Sequence, residues 1–318
     1  MSRYADAERS LRLDPDSQSG GYFRHAVYNH WDPYEDIAQE TIETDRERLV
    51  ADDGLQESEF DALRQTVALF GAGEEAVTED LAPLSLVLDS IDDQMFISSQ
   101  IYEEAKHTQF FDRYWREVIN PVAEHHGFEV TPPTADRYFM DGYAKLFDGT
   151  EEAMHRLLED DTPENRVTAY CHYHLVVESV LAQTGYYGIT SSLSDRGPDI
   201  RAEGAREAFP NLPGLVEGVS YIRSDEGRHV GFGMHKVQQH IAEDGVDPAT
   251  VQNTLQRLMP YVAEIVSDTD DLVDPVALVE YASDKLTRRV EIITDTQAEI
   301  PDVETLVSLD DSPTPADD

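Results

Sequence analysis

The chain has 318 residues, enough to bury a large core, and its apolar share of 40 % is that of a globular protein. Acidic residues number 65 against 24 basic ones, a formal net charge of −41, which argues against nucleic acid or an anionic membrane as partner. The single cysteine, Cys171, excludes an internal disulfide and a cysteine-based zinc site.

The acid excess is spread along the whole chain and not confined to a tail. That distribution fits a salt-rich cell interior, where screening relieves self-repulsion. The first residues lack an apolar signal region, and no apolar run of about 18 residues occurs. The expectation is a soluble, cytoplasmic protein.

Residues 1–30 read as an irregular arm, with Asp14, Pro15, Asp16, Gly20 and Gly21 as turn formers. Trp31-Asp32-Pro33 reads as a helix start, with Asp32 as cap and Pro33 at the first helical position. A helix to about residue 50 is broken by Asp52-Asp53-Gly54. The next pattern, about 56–91, sets Phe60, Leu63, Val67, Phe70, Glu74, Val77 and Leu81 at steps of three or four. That is an amphipathic helix with one glutamate in its apolar stripe. A buried carboxylate needs a partner; the competing reading of Glu74 is a surface residue on a helix restarted at Gly71 and Gly73.

The segment from about 94 to 126 repeats the pattern through Ile97, Ile101, Glu104, His107, Phe111 and Tyr114. Glu104 and His107 lie one turn apart on the apolar face, where both could reach one metal ion; a satisfied core histidine is the plainer alternative. Shorter helices fill about 135–160. Thr162-Pro163 opens another long helix to about 190, with Glu178 among apolar neighbours. Residues 191–212 are polar and rich in Gly and Pro, a surface excursion. A helix from 213 to about 243 carries Glu226 and His229, again three apart. Asp225 stands four residues before His229 and could accept its free imidazole N–H. Two more helices, about 248–267 and 274–295, precede an acidic tail. A third Glu-x-x-His, Glu152 with His155, sits in a short charged segment and reads as solvated. The domain plan is therefore an arm (1–30), one helical di-metal domain (31–295) and an acidic flexible tail (296–318).

A lone Glu, then Glu-x-x-His, twice over, each piece on its own long helix, is the ligand order of di-metal ferritin-like four-helix bundles. The fold class expected is all-α. Four carboxylates and two imidazoles, without a thiolate, suit iron and manganese and leave positions open for dioxygen.

Gly-Glu-Glu-Ala-Val-Thr at 73–78, Glu-Glu-Ala-Lys-His at 103–107 and Asp-Glu-Gly-Arg-His at 225–229 resemble the small-subunit superfamily of class I ribonucleotide reductase. Within it they most resemble the ligand-binding oxidases. The resemblance spans about residues 31–295. It implies a manganese–iron centre (di-iron as alternative) held by Glu74, Glu104, His107, Glu178, Glu226 and His229. It also implies a homodimer and a long-chain fatty acid-like ligand beside the metals. In those oxidases a Val three residues after the first Glu is joined by an ether bond to a Tyr five residues before the third carboxylate. Val77 and Tyr173 hold those offsets. Five residues is not a same-face spacing on an α-helix, so the helix is expected to bulge there or Tyr173 to lean around it. The rival reading is a radical-generating reductase subunit. Against it, Phe111 stands where that family usually keeps its radical Tyr, and no aromatic residue follows Tyr281. A ferritin-like storage protein and an acyl desaturase are the remaining alternatives.

Overall fold

The computed structural model describes residues 13–195, 200, 209–268 and 273–308. Among them there is no strand, and no helix is long and apolar enough to cross a membrane. Twelve α-helices follow in order: α1 Gln18–Tyr28, α2 Gln39–Val50, α3 Glu57–Val87, α4 Ile91–Tyr114, α5 Asn120–His126, α6 Asp141–Arg156, α7 Pro163–Tyr170, α8 Gln183–Ser192, α9 Pro213–Glu243, α10 Ala249–Ser267, α11 Pro275–Thr294 and α12 Val303–Leu306. Two π-helical stretches interrupt them, Trp115–Ile119 after α4 and Cys171–Ala182 between α7 and α8.

The helix starts obey local chemistry. The Glu59 carboxylate accepts from the Gln56 N–H at 2.9 Å in a capping box at α3. The Thr162 hydroxyl accepts from the Asn165 N–H, with Pro163 at the first position of α7. α9 has no side-chain cap of its own. Asp45 of α2 supplies it, accepting from the Gly214 and Leu215 N–H groups at 2.9 Å each. The packing of α2 on α9 thus doubles as a helix cap.

Four long elements enclose the centre: α3, α4, the composite α7–π–α8 and α9. α3 runs unbroken through Gly71 and Gly73, so the helix does not restart at Glu74. The ligand turn of α4 lies between Phe96 and Ile97, which enter one apolar cluster with Tyr173 and Phe232, and Phe110, Phe111 and Tyr114, which enter a second with Phe60 and Leu215.

Three expectations need correction. Residues 18–28, placed in an irregular arm, form helix α1, whose Ser19 hydroxyl reaches Asp93 at 2.5 Å; turn formers such as Gly20 pack here at a close crossing with Asp92. Asp32-Pro33 does not open a helix: the Asp32 carboxylate accepts from the Tyr34 and Glu35 N–H groups in a turn, and α2 begins at Gln39. Residues 303–308, placed in a flexible tail, pack on α9 with Val303 and Leu306 buried. The remaining tail from 309, the first twelve residues and, within the 191–212 excursion, residues 196–199 and 201–208 lie outside the described residues; Ser191 and Ser192 still belong to α8.

Candidate metal centre

α3 contributes Glu74, α4 contributes Glu104 and His107, the π segment contributes Glu178, and α9 contributes Glu226 and His229. All six are buried, none more than 6 % exposed. Their polar atoms face one another. His107 Nδ1 lies 3.3 Å from Glu74 Oε2, 3.2 Å from Glu104 Oε2 and 3.7 Å from Glu226 Oε1. His229 Nδ1 lies 3.1 Å from Glu104 Oε1, 3.4 Å from Glu178 Oε1 and 3.4 Å from Glu226 Oε2. Glu104 and Glu226 therefore turn one oxygen to each histidine, and Glu104 belongs to both donor clusters. Glu74 belongs to the His107 side and Glu178 to the His229 side. The donor atoms fall into two clusters, each compact enough for one ion.

The residues fit metal. Glu178 Oε2, Glu226 Oε2 and His229 Nδ1 have no hydrogen-bond partner among the described residues, although all are buried. Buried polar groups are normally paired. Here the polar atoms face one another, and two cations held between them would remove the cost. Burial pushes the Glu74 carboxyl up to about 8, only partly offset by His107. Burial also raises Glu178 and Glu226. Burial alone would favour neutral imidazoles, but surrounding carboxylates, Glu74 for His107 and Glu104 for His229, hold both well above the ordinary histidine range. Protons and metal ions compete for the same atoms.

An outer layer orients the histidines, and it crosses between helices. Asp225 accepts from His107 Nε2 at 3.1 Å, not from His229 as its place in the sequence suggested. Glu103 of α4 takes His229 Nε2 at 2.9 Å. Each pair's preceding carboxylate thus backs the other helix's histidine: Glu103 of α4 meets His229 of α9, and Asp225 of α9 meets His107 of α4. Arg228, fully buried, donates to both Asp225 and Glu103. Lys106 adds a second cation, 2.7 Å from Asp225 and 4.5 Å above the Trp31 ring. Trp31 Nε1–H donates to Asp225 at 2.8 Å. Gln100 donates to Glu178 at 2.7 Å and to Glu104 at 3.4 Å, and accepts from His174 at 3.4 Å. Glu103, Lys106 and Arg228 lie inside the two quoted motifs, which gave them no role; Trp31 and Gln100 lie outside them. Only the four-residue offset of Gln100 from Glu104 could have drawn attention to it.

Tyr173 donates its hydroxyl to Glu104 Oε1 at 3.0 Å. It can do so because the segment carrying it is π-helical: hydrogen bonds running i→i+5 bring Tyr173 and Glu178 onto one face. Val77 lies one turn beyond Glu74 in the lining of an apolar cavity of about 130 Å³. Glu74, Glu104, Glu178 and Glu226 line the same cavity. Phe70, Tyr143, Phe147, Val177 and Leu181 complete much of its wall. Tyr186, fully buried, also lines it, and its hydroxyl is unpartnered among the described residues. The third Glu-x-x-His pair, Glu152 and His155, is exposed on α6, away from this centre.

A helical bundle with a buried pair of Glu-x-x-His half-sites and two further glutamates defines a di-metal carboxylate protein. No protein-family profile matches the chain. Solved structures do. An R2-like ligand-binding oxidase carrying a Tyr-to-Phe change, with an aerobically reconstituted Mn/Fe cofactor, is 27% identical with a TM-score of 0.73, over 88% of this chain and 94% of that one. A Val-to-Leu form with an anaerobically reconstituted Mn/Fe cofactor matches with the same figures. A Gly-to-Leu form with an Fe/Fe cofactor matches at 26% identity and a TM-score of 0.73, over the same shares. The chain has the fold of the R2-like ligand-binding oxidases, with a buried carboxylate–histidine site that can hold two metals.

Proposed function

We propose that the protein is a dioxygen-activating di-metal oxidase, with Glu74, Glu104, His107, Glu178, Glu226 and His229 as ligands of one manganese and one iron. Two iron ions are the alternative filling. The observation that carries the reading is the convergence of these six buried side chains, whose four glutamates line an apolar cavity. The similar oxidases with Mn/Fe and Fe/Fe cofactors support it.

Bound ions would supply two electrons and hold dioxygen for reduction. The residues of the chain set what is oxidised. Val77 lines the cavity beside Glu74, and Tyr173 holds its phenol hydrogen-bonded at Glu104. Closing a Val77–Tyr173 ether breaks one C–H and one O–H bond and forms one C–O bond. The two electrons and two protons released, with two electrons from the metals and two protons from solvent, would reduce dioxygen to two waters. The apolar walls exclude bulk water from this chemistry. They also suit a long-chain fatty acid-like ligand: the cavity wall is mostly apolar apart from its glutamates, and a second apolar hollow shares Thr66, Leu69, Gly185, Ile265 and Leu278 with it. The same reading places the protein in the cytoplasm as a homodimer.

The test is the mass of the peptides covering Val77 and Tyr173 after anaerobic loading with manganese and iron, then air. A linked pair lighter by two hydrogens is expected, absent without oxygen and absent in Tyr173→Phe. Unlinked peptides under every condition, with both metals bound, would remove the cross-linking oxidase. One observation favours a radical-generating subunit instead: the Trp31 indole is hydrogen-bonded through Asp225 to His107. A long-lived radical on air exposure, without the link, would select that reading.

A further inference from the structure

A π-helix is rare and mostly a single-turn bulge. The segment Cys171–Ala182 keeps this pattern for 12 residues, so contacts outside its own backbone have to hold it. The register matters to the centre. At 3.6 residues per turn, side chains five apart point about 140° from each other. Tyr173 and Glu178 nevertheless both reach the same place. The Tyr173 hydroxyl meets Glu104, and Glu178 Oε1 lies 3.4 Å from His229 Nδ1. In α-helical register one of them would have to leave.

Arg289 of α11 grips this segment. It is 4 % exposed, and its Nη1 donates to the carbonyl of Ser179, the residue after Glu178. Its Nη2 donates to the Leu306 carbonyl at 2.9 Å. Burial lowers its pKa only to about 10, so the guanidinium is charged at neutral pH. A buried charge is tolerated only when hydrogen-bonded, and hydrogen bonds from a charged donor are about twice as strong as neutral ones. Both acceptors here are backbone carbonyls, one at the exit of the π segment and one in the final helix.

That final helix is itself held down. Arg223 Nη1 donates to the Val307 carbonyl at 3.3 Å and Lys285 Nζ to the Ser308 carbonyl at 2.7 Å. With Arg289, three cations hold three successive carbonyls, as cations do at helix C-termini. α12 can approach because α9 is flattened at Gly227 and Gly231. A Cβ at Gly227 would stand 2.5 Å from the Val303 carbonyl, and one at Gly231 3.2 Å from Leu306 Cδ1.

We propose that Arg289 is a positioning residue that fixes residues 171–182 in π register, and with them Glu178 and Tyr173, and that the packed segment 303–308 is the other jaw of the clamp. The proposal rests on the reading of Glu178 and Tyr173 as parts of the metal centre.

Two measurements on the full chain test it. Amide hydrogen exchange of the 171–182 peptide, in metal-free protein, reads the clamp without the metals. Arg289→Met and Leu306→Asp are each expected to speed exchange there tenfold or more, Arg289→Lys to fall between, and α3 and α4 to keep wild-type protection. Metal stoichiometry reads the consequence: at concentrations that give wild type two ions, Arg289→Met is expected to hold one. Unchanged exchange in 171–182 overturns the proposal, and so does an equal rise in every helix. Loosened exchange with two ions still bound at wild-type affinity also overturns it. A wild-type chain that binds no pair of ions defeats the reading of the centre, while the exchange arm alone then decides the clamp.

Discussion

Gln100 sits at the meeting point of three hydrogen bonds, two of them to carboxylates of the centre. Neutral and fully buried, it fixes where Glu178 and Glu104 point without adding charge. Gln100→Leu should weaken metal binding about 10- to 100-fold, the usual cost of losing an orienting partner; a competition titration that finds unchanged affinity would dismiss this role. His172 yields a prediction in pH. Burial, aided by the charge of Arg257, lowers it to about 4 from 6.5. The unfolded chain takes the proton below about 6.5 and the folded one only near 4, so the stability tied to neutral His172 is complete above 6.5 and lost as pH falls to 4. The difference is at most about 3 kcal/mol. Urea unfolding across that window should show His172→Gln losing less stability than wild type; parallel losses would refute the assignment. At this scale the sequence was readable where a pair is local. Glu104 with His107 and Glu226 with His229 declare themselves by a three-residue step. The crosswise backing by Asp225 and Glu103 does not, because partners more than a hundred positions apart leave no period to see.

Helices were legible as elements because their apolar stripes recur at 3.6 residues, and the ends of α9, α10 and α11 fall within a residue or two of where caps and breakers put them. The π segment was legible only as a tension. Tyr173 and Glu178 five apart could not share an α-helical face, and a local bulge was one of two ways out. The extent, Cys171 to Ala182, had no signal, because the hydrogen-bond register depends on tertiary grips such as Arg289. Close crossings are similarly silent in sequence until a neighbour is known. Gly218 of α9 faces the Phe110 ring, and a Cβ there would fall inside it. Gly218→Ala should therefore destabilise the bundle by about 1–3 kcal/mol through overpacking. The chemical-denaturation midpoint of that variant measures the effect, and an unshifted midpoint would mean that α4 and α9 yield to the methyl without cost.

For the molecule as a whole, charge is the dominant constraint. A formal −41 on one chain repels itself at distances that salt screens. The melting temperature should rise steeply from low to molar potassium chloride, and a flat curve would discard the expectation of a salt-rich setting. The interior is organised the opposite way. Four inner glutamates are surrounded by Asp225 and Glu103, whose charges Arg228 and Lys106 offset. The inner four are left for the metals. The all-α bundle was legible at this scale from the ligand order together with the helical stripes that carry it. The packing of α1 and of residues 303–308 was not, since short amphipathic pieces near either end look like loops until a flat patch such as Gly227 and Gly231 receives them.

The lone thiol gives this molecule a chemical clock. Cys171 is the first residue of the π segment, fully buried, and burial raises its pKa to about 12. Closed, it is neither accessible nor ionised, so an alkylating reagent can label it only after that stretch of backbone opens. With no second cysteine to label, the rate of modification counts openings of one segment in an otherwise intact fold. Loading with manganese and iron should slow that count in proportion to how firmly Glu178 is held.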